Sequence, residues 1–213
     1  MYLVQSLKSI VLDRPFKQGA FIADRYEIIR VLGMGSYGIS YLAKDCRQNK
    51  ECVVKQMKPS RRNLEKVHRS FEYEMKILSY LNHPQIPSFG DSFTYNGQQF
   101  FTMEYIAGRT FEDLIFNDGA VYDEICSFEI LRNVLEIVAY FHGKKIIHRD
   151  LRIPNIMVKD EVIYIIDFGL ARFIDIRNSD TSSEMARYEF EKKLMREIHY
   201  KSDFYALGHF VLF

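Results

Sequence analysis

The sequence has no tryptophan, only three cysteines among 213 residues, and almost no net charge. Each shortage excludes something. Cys46, Cys52 and Cys126 are odd in number and lack metal-ligand spacing, so neither a disulfide framework nor a cysteine zinc site is indicated. Cys46 and Cys52 could face each other across a hairpin, but three reduced thiols are the plainer reading, and they place the chain in the cytoplasm. Lys plus Arg total 29 against 28 Asp plus Glu, a formal net charge of +1, which argues against nucleic-acid or membrane partners. No run approaches the roughly 18–20 apolar residues of a membrane-spanning helix. Residues 1–12 have neither a long apolar core nor a small-residue cleavage site, so they carry no secretory signal.

What is present is the composition of a globular protein with a sizeable core: 47% apolar and 27% charged residues, with 17 Phe and 14 Tyr. Residues 1–24 read as a lead-in with a turn at Gly19. Strand-like stretches follow at Tyr26 to Leu32, Ile39 to Ala43 and Cys52 to Met57, with two more around Ile86 to Thr94 and Gln99 to Tyr105. Between them, Phe71, Met75, Leu78 and Leu81 recur at helical spacing until Asn82-His83-Pro84 stops the helix. The expected first lobe is therefore five strands and one helix over 25–105.

After Gly108 the pattern turns helical. Phe111, Leu114 and Ile115 mark a short helix. Ile125, Phe128, Leu131, Leu135, Val138 and Phe141 mark the buried stripe of a long one, closed by Gly143. Two short apolar runs flank Lys159-Asp160-Glu161, then a polar, hydroxyl-rich segment leads to an apolar helical start at Asp203. Leu207, Phe210, Val211, Leu212 and Phe213 there read as core-facing. Residues 106–213 form the second part of the domain.

Four groups of residues could carry chemistry. In the turn Gly33-Met34-Gly35-Ser36-Tyr37-Gly38, glycines between two strands let backbone N–H groups press against phosphate oxygens, although an ordinary hairpin can look the same. Lys55, on an apolar strand, either snorkels at an edge or grips phosphates with a helix carboxylate orienting it. Glu74 is the better partner, because Glu72 should point elsewhere around the helix. Asp150 suits a base that accepts a proton, flanked by Arg149 and Arg152. Asn155 and Asp167 offer hard oxygens to Mg²⁺. Turn-forming roles for Asp150 and for Asp167-Phe168-Gly169 are the alternative. His148 follows two isoleucines and reads as a packed imidazole, while Met103 and Met157 could line an adenine slot or simply fill core.

The four groups, in this order, make the chain resemble the eukaryotic-type Ser/Thr protein kinases of bacteria. The resemblance covers Tyr26 to Phe213 and implies an α+β, protein-kinase-like bilobal fold with an abbreviated helical second lobe. It implies ATP and Mg²⁺ as cofactors and transfer of the γ-phosphoryl group to protein Ser/Thr hydroxyls. Alternatives are a small-molecule kinase, or a nucleotide-binding interaction module with weak or no catalysis. By resemblance, Gly33, Gly35, Ser36 and Gly38 cover the nucleotide, and Lys55 and Glu74 hold its phosphates. Met103 is the gatekeeper and Glu104 to Ile106 the hinge, with Met157 kept as a candidate for lining the adenine slot. Asp150 is the base, Asn155 and Asp167 hold the metals, and Leu78, Phe89, His148 and Phe168 form a hydrophobic spine. Asp203 holds the catalytic-loop backbone, and a protein substrate is the expected partner.

Four departures accompany the match. Arg152 stands where a lysine is usual, and Ser40 replaces the usual valine over adenine. Arg196-Glu197-Ile198-His199 occupies the place of Ala-Pro-Glu, and the helices that normally follow Phe213 are absent. The apolar end of the last helix then calls for a cover, whether the helix preceding Asp203, residues 1–24 or a second copy in a homodimer; a truncated chain is the other reading. Ser179, Thr181, Ser182 and Ser183 are candidate autophosphorylation sites, with Arg149 and Arg172 near enough in sequence to pair with a phosphate.

Overall fold

A computed structural model describes residues 12–174 and 199–212, so the four candidate phosphorylation sites and Arg196 to Ile198 lie outside the described residues. The chain divides into two compact units: Met1–Asn82 with Pro87–Ile106, and His83–Ile86 with Ala107–Phe213.

The first unit is built on an antiparallel sheet of order β1-β2-β3-β4-β6-β5. Its strands are β1 (Phe21–Ile22), β2 (Tyr26–Met34), β3 (Gly38–Asp45), β4 (Lys50–Met57), β5 (Phe89–Tyr95) and β6 (Gln98–Glu104). Six strands replace the expected five. The extra one, β1, pairs with β2 through a hairpin whose turn residues Ala23 and Asp24 are both left-handed, at φ 53° and 50°. That backbone normally draws Asn or Gly, so Ala-Asp gave no turn signal.

Both faces of this sheet are covered, which is why alternation is lost along β4 and β6. On one face, helix α1 (Glu65–Tyr80) packs Phe71 against Phe101, with ring centroids 5.0 Å apart. Its buried stripe is Val67, Phe71, Glu74, Ile77 and Leu78, whereas Met75 is only half-buried. On the other face Tyr26, Ile28, Tyr41, Val54 and Phe100 form a second, aromatic-rich core, joined by Phe16 from the lead-in. Burial pushes the Tyr41 phenol up to about 12, so it stays protonated and donates to Gln56 Oε1 at 2.6 Å. The half-buried Cys52 thiol is likewise pushed up to about 11 by burial, which disfavours its reactive thiolate form.

In the second unit, helix α2 (Glu124–Gly143) starts at Asp123, whose carboxylate accepts the Cys126 N–H at 2.8 Å. Only its second half is buried, through Val134, Ile137, Val138 and Phe141. The expected stripe is thus corrected: Ile125 and Phe128 are 72% and 58% exposed. Helical spacing reveals an apolar face but not how far along the helix something covers it.

Around α2 lie a three-stranded sheet of β7 (Arg109–Thr110), β9 (Ile156–Lys159) and β10 (Val162–Ile165), and a pair formed by β8 (Ile146–Ile147) and β11 (Arg172–Phe173). The short helix expected near Leu114 is a single π turn, Asp113–Asn117. Helix α3 (Tyr200–Phe210) begins three residues before Asp203 because His199 caps it, its ring nitrogen accepting the Lys201 N–H. Leu207 and Phe210 are buried, but Val211 and Leu212 are 36% and 80% exposed, and Phe213 lies outside the described residues. The helix ends at Phe210, so the residues after it leave the face that Asp203, Leu207 and Phe210 share. The core-facing expectation fails for Val211 and Leu212.

Candidate active site

In the first unit the glycine-rich turn joins β2 to β3. A Cβ on Gly38 would lie 3.0 Å from the Gln56 carbonyl oxygen and 3.5 Å from Lys55 Cε, so glycine there permits close approach to the lysine strand. A Cβ on Gly33 would meet nothing within 4 Å, and one on Gly35 only the Gly38 carbonyl oxygen at 3.8 Å. Gly33 pairs with Ser40 in the β2–β3 ladder, but the space that a side chain would take at Gly33 and Gly35 is open, which leaves room for a phosphate to approach. Ser36, between them and Gly38, is exposed.

Lys55 lies on β4, where it faces Ser40 on β3 and Phe101 on β6 in register. Its Nζ is 2.5 Å from Glu74 Oε1, and the two side chains are 13% and 4% exposed. Glu72, the competitor, is exposed. A carboxylate buried to this degree is tolerated because the ammonium compensates it. Met103 and Glu104 end β6 and Ile106 is buried just beyond. Glu104 is tied down by Ser88, whose hydroxyl donates to its carboxylate at 3.0 Å. Leu78 is buried on α1, and Phe89 stacks on Phe101 at 6.1 Å.

The second unit assembles Asp150, Arg152, Asn155 and Asp167. Asp150 accepts from both ends of the Arg152 fork, at 2.7 Å from Nε and 3.1 Å from Nη2. It also accepts from Asn155 Nδ2 at 3.0 Å, and its own carbonyl accepts from the same amide at 2.9 Å. With its nitrogen committed there, the Asn155 side chain presents its carbonyl oxygen as the ligand-type atom. Asp150 beside it holds the Arg152 guanidinium above its ordinary pKa, with smaller contributions from Glu112 and Asp167. Asp167 reaches the group through the backbone: the Ile166 N–H donates to the Asn155 carbonyl at 2.9 Å. Asp167 is left-handed at φ 60°, and its carboxylate accepts the Gly169 N–H at 3.2 Å. Met157 lies half-buried on β9, opposite Tyr164 and Thr110.

His148 is fully buried, and its ring nitrogens have different partners. Nδ1 accepts the Asp150 N–H at 3.3 Å, which leaves Nε2 to donate to the Ile166 carbonyl at 3.1 Å. This pattern fits only the neutral ring, and burial accordingly lowers its pKa. The ring packs edge-on against Phe168, with centroids 4.7 Å apart, and Phe168 packs on Phe141. Beneath them Asp203, fully buried, accepts the backbone N–H of His148 at 2.9 Å and of Arg149 at 2.7 Å. Arg149 is left-handed at φ 68°, a backbone state that these bonds sustain.

Sequence reasoning missed two contributors. His142 Nε2 lies 2.9 Å from Asp203 Oδ2 and adds a third hydrogen bond to it, and Glu112 adds to the charge around Arg152. A histidine at a helix C-terminus usually serves the helix dipole, so nothing in the sequence marks His142. Among the described residues no three His, Cys, Asp or Glu side chains form a metal cage. Asn155 and Asp167 instead offer two hard oxygens, a donor set that fits Mg²⁺ completed by phosphate and water.

A family model described as "Protein kinase domain" matches residues 26–212. Among curated relatives, YbdM of Bacillus subtilis, described as a probable serine/threonine-protein kinase, is 36% identical over 207 residues, covering 97% of this chain and 75% of YbdM. The serine/threonine-protein kinase PknA of Nostoc sp. is 33% identical, covering 87% of this chain and 36% of PknA. The chain thus spans three quarters of one relative and about a third of the other. The crystal structure of the Mycobacterium tuberculosis PknI kinase domain matches 93% of this chain and 74% of that one at a TM-score of 0.67, with 23% identity, a likeness of fold. The chain belongs to the protein kinase domain family.

Proposed function

We propose that this chain transfers the γ-phosphoryl group of ATP to serine or threonine hydroxyls of a protein substrate. The observation that carries the reading is the Asp150 cluster: a carboxylate oriented by Asn155 on a backbone pinned by Asp203. In that role Asp150 accepts the proton of the attacking hydroxyl as the new P–O bond forms and the β–γ bridging oxygen departs with ADP. Arg152 turns toward the transferring phosphoryl group and stabilises its charge. Lys55, oriented by Glu74, holds the α- and β-phosphates, and the glycine-rich turn, through Gly33, Gly35, Ser36 and Gly38, covers them. Met103, Glu104, Ile106 and Met157 serve the adenine. Mg²⁺ on Asn155 and Asp167 would neutralise phosphate charge.

A second reading, a nucleotide-binding module with little turnover, is favoured by one observation: Arg152 occupies both oxygens of the base. The test is incubation of the purified chain with Mg-ATP, a generic protein substrate and a panel of small hydroxyl compounds. Transfer to protein that disappears in Asp150→Asn supports the kinase reading. Tight ATP binding without any transfer supports the module, and transfer to a small molecule alone would change the acceptor. Cytoplasmic residence and a second copy covering the apolar end of α3 belong to the same proposal. No helix among the described residues is long and apolar enough to cross a membrane.

A further inference from the structure

Asp13 is a buried carboxylate far in sequence from the candidate site residues, only 7% exposed. Both its oxygens are used on one residue: Oδ1 accepts the Ser60 N–H at 2.8 Å and Oδ2 the Ser60 hydroxyl at 2.7 Å. Ser60 sits in the 3₁₀ turn Pro59–Arg61, which has no side-chain cap of its own, and neither has α1, whose N-cap is Leu64. Asp13 therefore supplies, from 47 residues away, the acceptor that a local Ser or Asp would ordinarily give.

The capped turn is a junction between the two elements that serve phosphate. On one side the Lys58 N–H donates to the Tyr37 carbonyl of the glycine-rich turn at 3.0 Å. On the other, the Leu64 N–H donates to the Arg61 carbonyl at 3.0 Å and leads directly into α1, which carries Glu74. Lys66, in the first turn of α1, places its ammonium 5.6 Å from the Tyr37 ring centroid, closing the loop between them. Beyond Asp13 the lead-in is held to the sheet by Phe16, whose N–H donates to the Tyr41 hydroxyl at 3.3 Å, and by the Gly19 N–H on the Ile28 carbonyl at 2.8 Å.

We propose that Asp13 is a positioning residue for phosphoryl transfer: by capping the Ser60 turn it fixes α1 and the glycine-rich turn, and so sets the Lys55–Glu74 pair. The proposal rests on the reading of Lys55 as the phosphate-holding lysine. It is a long-range contact, so the described part of the lead-in from Asp13 onward acts with the nucleotide machinery.

The test compares the full chain with Asp13→Ala and Asp13→Asn, alone and with Glu74→Ala. Asp13→Ala should lower kcat/KM for ATP about tenfold and speed amide hydrogen exchange in Glu65 to Phe71. Asp13→Asn should restore most of the rate, because its carbonyl oxygen still accepts the Ser60 N–H and the Ser60 hydroxyl can accept from its amide. In the Glu74→Ala background, Asp13→Ala should cost nothing more. Additive losses with unchanged exchange in α1 would reduce Asp13 to a local staple and overturn the proposal. If the wild-type chain transfers no phosphoryl group, the functional reading fails, while the exchange experiment still decides whether Asp13 governs α1.

Discussion

Two cation–carboxylate pairs, one in each unit, show how differently the same chemistry can be built. Lys55–Glu74 joins a strand to a helix, and both side chains are nearly withdrawn from water, at 13% and 4% exposure. Arg152–Asp150 joins residues two apart on one loop; the Asp150 side chain is 10% exposed but that of Arg152 is 59% exposed. The first pair depends on where α1 lies, so it reports on the placement of a whole helix. The second depends on one rotatable side chain that water can already reach, so it can open without moving the backbone. The difference assigns a fixed geometric role to the first pair and a mobile role to the second.

Removing the cation from each pair breaks that comparison most severely. Lys55→Met takes the ammonium from the buried Glu74 carboxylate, and should cost about 3–5 kcal/mol of stability by denaturant titration. A loss under about 1 kcal/mol would show that Glu74 is hydrated or neutral in the fold. Next in size is the pH dependence contributed by His148. Its folded pKa is depressed below the usual histidine value, so only the unfolded chain takes up its proton as pH falls through about 6.5. Stability is fully present above that pH and should decline below it, by up to about 1.4 kcal/mol per pH unit. The same titration on His148→Phe should show a shallower slope. The smallest effect belongs to Arg152→Ala, which removes a largely exposed partner and should shift stability by no more than about 1 kcal/mol.

Much of this arrangement was legible in the sequence, for identifiable reasons. Lys55 stood out because a cation on an apolar strand needs explaining, and Glu74 because it shares a helical face with Leu78. The sheet-rich first lobe followed from strand-like stretches that give way to helical spacing after Gly108, and the α+β, kinase-like architecture from the family resemblance. What stayed hidden were features created by contacts distant in the chain. Strand β1 is two residues long and turns on Ala-Asp, below any periodic signal. The exposure of Ile125 and Phe128 depends on what covers α2, which spacing along the helix cannot report. Asp13 and His142 are ordinary until the fold brings Ser60 and Asp203 to them.

The most direct test of the division between the two pairs is a side-by-side measurement of kcat and KM for ATP in Arg152→Lys and Glu74→Gln. Arg152→Lys should change turnover more than nucleotide affinity, because the guanidinium engages charge that develops as the phosphoryl group transfers. Glu74→Gln should weaken ATP binding as well, because it releases the lysine that is proposed to hold the phosphates. Equal changes of kcat and KM in Arg152→Lys, or an unaltered KM in Glu74→Gln, would contradict the account.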